Sequence, residues 1–171
     1  MGIFLKTDTV KKEWTDYNGH MNMSYYILVF DNAAEIMLTK FKMGGDSAQR
    51  DKKSTFAVET HTAYDQEIKL GEEVEVHLTY LNHDKKRIHY RVSMLHKEKK
   101  YLAATTEVLS LYIDLNQRKV AEFEPEKIKI MDDFIKTNSS KFNTQQPKRS
   151  LVEVVGNRWV ILFLFNIASI H

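Results

Sequence analysis

The sequence has no cysteine, which excludes disulfides, thiolate nucleophiles and cysteine-ligated zinc or iron–sulfur sites. It has no marked charge excess: 25 basic and 23 acidic residues leave a formal net charge of +2. A domain that grips a nucleic-acid backbone usually carries a basic face, so no nucleic-acid partner is expected. Long apolar runs are missing. The most apolar segment, Trp159 to Phe165, stops at Asn166 and falls well short of the roughly 20 residues a spanning helix needs. No membrane span is expected, and packing on the domain or on a partner subunit is the plainer use of that tail. The N-terminus lacks a basic start followed by an apolar stretch, so the expectation is no signal peptide and a cytoplasmic setting. There is no Gly-x-Ser-x-Gly elbow and no phosphate-cradling glycine loop. None of the seven His residues has a neighbour at metal-ligand spacing, so neither a metal nor a cofactor is expected.

What is present suits one globular domain: 171 residues, 43% hydrophobic and 28% charged. A short strand is expected from Thr9 to Trp14, then a polar loop from Asp16 to Asn22. Ser24 to Lys42 contains no Gly or Pro, and its polar positions Asp31, Asn32, Glu35, Thr39 and Lys42 recur every three or four residues. That spacing predicts a helix with one narrow polar stripe, apolar enough to be covered on most sides. Asn22 is placed to cap it. Gly44-Gly45 is expected to end the helix and residues 46–54 to form a charged loop.

Beyond that loop the period changes to alternation. Strands are predicted at residues 55–68, 74–81, 88–96 and 102–115, joined by short polar connections that read as antiparallel hairpins. The fold class is therefore α+β: a five-stranded antiparallel sheet wrapped around a long central helix. The domain is expected to occupy residues 1–125. Residues 126–171 are expected to extend it with a short helix, a polar linker from Thr137 to Ser150 and the apolar tail.

The chemistry-bearing stretch is Glu13-Trp14-Thr15-Asp16-Tyr17-Asn18-Gly19-His20-Met21-Asn22. Asp16, Asn18, His20 and Asn22 are spaced by two, so an extended segment would place all four on one side. A helix start offers free backbone N–H groups and a positive dipole end. A carboxylate beside such donors suits acyl transfer, the carboxylate attacking or activating water while amides stabilise an oxyanion. Spacing alone also allows a plainer reading, with Asn22 as a cap, Asn18-Gly19 as a turn and His20 as a satisfied polar residue.

Asp16-x-Asn18-x-His20-x-Asn22-x-x-x-Tyr26 followed by an apolar helix resembles the hotdog-fold thioesterases, in particular the 4-hydroxybenzoyl-CoA thioesterase-like group. The pattern also resembles plant acyl-ACP thioesterases. The longer string from Glu13 to Met21 is similar to the thioesterases of carnitine degradation, including betainyl-CoA thioesterases. Further matches to these lie at Val58-Glu59-Thr60-His61, Lys86-Arg87-Ile88-His89 and Ala104-Thr105-Thr106-Glu107. The resemblance implies hydrolysis of an acyl-CoA to free CoA and a carboxylic acid without a cofactor. Carried over by residue, it makes Asp16 the base or nucleophile, Met23 the donor of the polarising amide, and Asn18 and His20 the orienting groups. Asn22 and Tyr26 would line the substrate. The resemblance also implies a homodimer or homotetramer.

Other candidates follow from position. Glu59 and His61 share one face of a strand and could line a site across a dimer interface. Lys85, Lys86 and Arg87 cluster at a hairpin tip that could meet CoA phosphates, although such clusters are commonly just solvated. Trp14, Tyr17 and Tyr64 could cage a trimethylammonium acyl group. Two rival functions stay open on the same fold. One is an enoyl-CoA hydratase or dehydratase pairing His20 with Glu35, and the other is a non-catalytic acyl-CoA binding module.

Overall fold

The computed structural model describes residues 2–142. The chain runs β1 (Ile3–Thr9), a 3-10 turn (Lys12–Trp14), α1 (Met23–Lys40), α2 (Gly45–Asp51), β2 (Lys53–Tyr64), β3 (Glu73–His83), β4 (Arg87–His96), β5 (Leu102–Asp114), β6 (Lys119–Val120) and α3 (Pro125–Asn138). The strands form one antiparallel sheet in the order β1-β3-β4-β5-β2. The short β6 pairs with β5 as a sixth strand. One face of this sheet wraps α1, which is the hotdog arrangement the resemblance implied.

The alternation in β3 and β4 explains that wrapping. Val74, Val76, Leu78 and Tyr80 face inward, as do Tyr90, Val92 and Met94 of β4, and all are buried. Against them α1 buries Tyr26, Val29, Phe30, Ala33, Ala34 and Met37, a set at helical spacing. The small Ala33 and Ala34 let the helix sit close to the sheet. The polar stripe at Asp31, Asn32, Glu35, Thr39 and Lys42 is exposed, as its spacing required.

Several expectations need correction. The first strand is Ile3–Thr9, and residues 12–14 are a 3-10 turn. Residues 46–54 are not a loop, because α2 occupies Gly45–Asp51 and β2 starts at Lys53. The Glu35 carboxylate accepts from the Gly45 amide at 2.7 Å, which ties the start of α2 to α1. The first two long strands do not make a hairpin with each other. β1 fills the free edge of β3, so β2 crosses to the far edge beside β5. The stretch expected to be a linker begins as helix, since α3 continues to Asn138. The apolar residues 159–165 lie outside the described residues.

Nor is α1 covered on most sides within one chain: Met23, Ile27 and Leu28 are 63%, 42% and 43% exposed. The edge strand β2 likewise exposes Phe56, Val58 and Tyr64. α3 closes the other end of the helix. Phe134 and Tyr80 pack edge-on against Phe41, at 5.1 and 5.5 Å between ring centroids, and Met131 is fully buried.

Candidate active site

Asp16 does not lie in an extended segment. Residues 15–21 fold back as a tight hairpin, with Thr15 bridged to Met21 and the Asp16 amide donating to the His20 carbonyl at 3.1 Å. The Gly19 amide donates to the Asp16 carbonyl at 3.0 Å, and Gly19 has φ +79°, which favours glycine. The turn brings Asp16 and His20 together and sends Tyr17 out to 98% exposure. Asn18 is exposed at the tip, and its backbone amide donates to Asp16 Oδ1 at 2.8 Å. The Asp16 side chain is only 19% exposed, and its Oδ2 faces His20 Nε2 at 3.7 Å. Asp16 and His20 are thus brought together by a turn, while the side chains of Asn18 and Tyr17 are not part of the cluster.

The hairpin is held where it touches two other segments. The Asn22 amide donates to the Trp14 carbonyl and the Met21 amide to the Ile68 carbonyl, both at 2.8 Å. The Asn22 side chain accepts from the Ser24 amide at 3.0 Å and caps α1 as expected. The helix starts at Met23, whose amide makes no hydrogen bond among the described residues. The hairpin that carries the carboxylate thus runs directly into the helix start and its unspent donor. Those are the two groups an acyl-transfer reaction needs, a basic oxygen and a site where negative charge is favoured.

A third group was missed from the sequence. Glu67 Oε2 accepts from His20 Nδ1 at 3.3 Å, so one imidazole ring separates two carboxylates. The two ring nitrogens of His20 therefore face Glu67 on one side and Asp16 on the other. Lys69 lies 3.1 Å from the other Glu67 oxygen, and this ammonium, with His20, lowers the Glu67 pKa. No local pattern marked Glu67, because it sits in a run of three polar residues, Asp65-Gln66-Glu67, at the end of the stretch expected to be a strand. The strand ends at Tyr64, and the chain then leaves the sheet to meet the hairpin at His20 and Lys69.

Tyr26 lies next to this group, edge-on to Tyr64 at 5.3 Å. Burial raises the Tyr26 pKa. The Tyr101 hydroxyl donates to the Glu67 carbonyl at 2.9 Å. Tyr101 and Glu67 also line a cleft of about 310 Å³ with Gln66, Lys69, Glu72 and Lys99.

The remaining candidates lie elsewhere in the chain. Glu59 and His61 pair with Leu109 and Glu107, on the sheet face opposite α1. They are not joined to Asp16 within one chain. Lys86 and Arg87 stand at the far end of β3 from the hairpin, and at about 3.3 Å per residue an 11-residue strand spans about 35 Å. Both are already engaged: Arg87 by Asp84 at 2.5 Å and Lys86 by Glu122 at 3.8 Å. The expected aromatic cage is not assembled, since Trp14 stacks on Tyr25 at 5.8 Å, Tyr64 meets Tyr26 edge-on, and Tyr17 points outward. Glu35 is spent on α2, twelve residues along the helix from Met23, so it does not pair with His20. Among the described residues, no three His, Asp or Glu side chains are grouped to hold a metal, and no helix is long and apolar enough to cross a membrane.

Comparison with known proteins identifies the family of this fold. Residues 10–134 match the Thioesterase-like superfamily, a stretch holding the hairpin, α1, most of the sheet and most of α3. A betainyl-CoA thioesterase of Pseudomonas aeruginosa is 35% identical over 119 residues, 68% of this chain and 74% of that protein. A Pseudomonas putida structure solved as a candidate thioesterase superposes with a TM-score of 0.75 at 27% identity, covering 88% of this chain and 96% of that one. A Staphylococcus aureus protein solved in complex with CoA shares the fold, with a TM-score of 0.72 at 21% identity over 92% of this chain and 96% of that one. By sequence and by fold, the chain belongs to the thioesterase-like superfamily, and thioester hydrolysis is its chemistry.

Proposed function

We propose that the substrate is an acyl-CoA, cleaved to CoA and a carboxylic acid at the hairpin corner, with Asp16 acting on the thioester carbonyl as nucleophile or general base. The observation that carries this is a largely covered carboxylate on the hairpin leading into a helix start whose first amide makes no hydrogen bond among the described residues. The Met23 N–H receives the carbonyl oxygen as it gains negative charge, aided by the positive end of α1. Water supplies the oxygen of the new acid, and its proton ends on the departing sulfur. His20, fixed by Glu67, orients Asp16 and the water. Asn22 keeps the helix start in place, and Tyr26 borders the acyl group. No cofactor is needed for this reaction.

Similarity to the Pseudomonas aeruginosa relative supports a betainyl acyl group, which carries trimethylammonium on the carbon next to the carbonyl. A cytoplasmic location fits a CoA thioester substrate. A homodimer, or a tetramer built from it, is supported by the open edge of β2 and the uncovered Ile27, Leu28, Phe56 and Val58. Through such a pairing Glu59 and His61 would reach a neighbouring site, and Lys86 and Arg87 would serve the CoA phosphates.

The test is a thiol-release screen over short, branched, aromatic and betainyl-CoA thioesters, repeated with Asp16→Asn. Release that needs Asp16 is expected; no release from any thioester, or full activity in the variant, overturns the proposal. Label found in the Asp16 carboxylate after a single turnover in heavy-oxygen water identifies direct attack, because the general-base route places the water oxygen only in the product acid.

A further inference from the structure

We propose that Glu67 is a specificity-determining residue that selects a positively charged acyl group. The proposal rests on the thioesterase reading above and sharpens its substrate class.

One carboxylate is enough for either hydrolytic route, yet two stand here on opposite sides of the His20 ring. The second is kept ionised: the Lys69 ammonium and the His20 N–H both favour the charged form of Glu67. A neutral acyl chain entering this corner takes water from two negative charges and returns nothing to them. An acyl group bearing a quaternary ammonium close to its carbonyl compensates both. Such a cation has no N–H to donate, so it is recognised by charge and by aromatic rings rather than by hydrogen bonds. Tyr26, Tyr64 and Tyr101 supply aromatic surroundings next to Glu67. The charged groups around His20 are Asp16, Glu67 and Lys69. In the adjoining cleft, Glu72 and Lys99 are paired with each other at 2.9 Å. Among the described residues, Lys69 is the cation paired with Glu67, and it opposes the selection.

The experiment compares kcat/KM for betainyl-CoA and for tert-butylacetyl-CoA, which keeps the shape and replaces the charged nitrogen by carbon. Wild-type protein is expected to favour the cationic thioester by at least about tenfold. Glu67 is half exposed, so removing its charge in Glu67→Gln is expected to cut that ratio by only about three- to tenfold. Lys69→Met is expected to raise the ratio, and added salt to compress it toward the neutral value. A merely structural role for Glu67 would lower both substrates together and leave the ratio alone. Ratios within twofold of wild type in both variants overturn the proposal. Failure of the thioesterase reading shows itself separately, as no CoA release from either compound by the wild type. Calorimetric binding of the same pair of thioesters then carries the comparison, and equal loss of affinity for both in Glu67→Gln overturns the selection.

Discussion

The two ends of α1 each hold a cluster of charges, and they treat those charges in opposite ways. At the C-terminal end, Glu124 accepts from Lys53 at 2.7 Å, Lys127 at 2.8 Å and the Tyr112 hydroxyl at 2.9 Å, while Asp51 faces Lys127 at 3.6 Å. With Arg50 on Asp51 at 2.7 Å, three cations meet two anions, the Lys127 side chain is 8% exposed, and Phe41, Tyr80 and Phe134 pack together at this end of the helix. At the N-terminal end, Asp16 and Glu67 share one imidazole, the first helix amide makes no hydrogen bond among the described residues, and the flank of the helix is exposed. At the closed end both carboxylates of the cluster have cationic partners, and the cluster resists change. The open end keeps a surplus of acceptor and donor capacity, which costs stability in the folded chain and is what a reacting thioester would use.

If that division is right, variants at the open end lose rate and variants at the closed end lose stability. The largest expected effect is in Asp16→Asn: kcat falls by about a thousandfold, while the urea midpoint stays near that of wild type. A large loss of stability in this variant would break the comparison, because it would make Asp16 a structural residue. Met23→Pro comes next. Asn22 has φ −66° and ψ 143°, the extended backbone that tolerates a following proline, and position 23 is the first of the helix. The substitution therefore deletes one N–H with little distortion. Thiol-release kinetics are expected to show a loss of about a hundredfold in kcat with normal helix content by circular dichroism. Unchanged kcat would move the oxyanion donor elsewhere.

At the closed end the expected order reverses. Lys127→Met strips Glu124 and Asp51 of a shared cation, and the chemical midpoint should report a loss of about 2 kcal/mol with kcat unchanged. Acid probes the same network. Burial pushes the Glu124 carboxyl up, but hydrogen bonds from Lys127, Lys53, its own amide and Tyr112 outweigh this and bring it down to about 2 from an ordinary 4.5. A depressed folded-state value means that the stabilisation is present in full above about 4.5 and disappears as pH falls toward 2. Urea midpoints followed through that window should decline in wild type and decline less in Glu124→Gln. Equal slopes would remove Glu124 as the acid-sensitive group.

The sequence was legible where periodicity is local. The inward residues of β3 and β4, the exposed stripe of α1 and the Asn22 cap each follow from spacing within one element. What spacing could not show were pairings between distant segments. Whether β2 lies beside β3 or β5 depends on which edge β1 takes, and a strand's own alternation is the same in either place. The site divided in the same way. Asp16 and the helix start were visible because they are neighbours in the chain. The geometry between them was misread as extended, because alternation by two also fits a tight turn with Gly19 at its corner. Glu67, 47 residues after His20, becomes part of the cluster only through the bridge between His20 and Lys69.

The smallest expected effect lies where the two kinds of end overlap. Asn22 is a structural group by its hydrogen bond to Ser24 N, yet it also fixes the position of the Met23 amide one residue along. Replacing it with Ala removes a cap worth about 1 kcal/mol in typical helices. Because the first turn then frays, the amide is held less firmly in place, and kcat should fall along with stability. The expected result for Asn22→Ala is a midpoint lower by about 1 kcal/mol together with a loss of less than about tenfold in kcat. Asn22→Asp keeps the acceptor and adds a charge that favours the helix start, so it should restore the midpoint. That added negative charge lies beside the developing oxyanion, so kcat should stay reduced. Full recovery of both in Asn22→Asp would mean that the amide is insensitive to its electrostatic surroundings, and the open end would then differ from the closed one only in exposure.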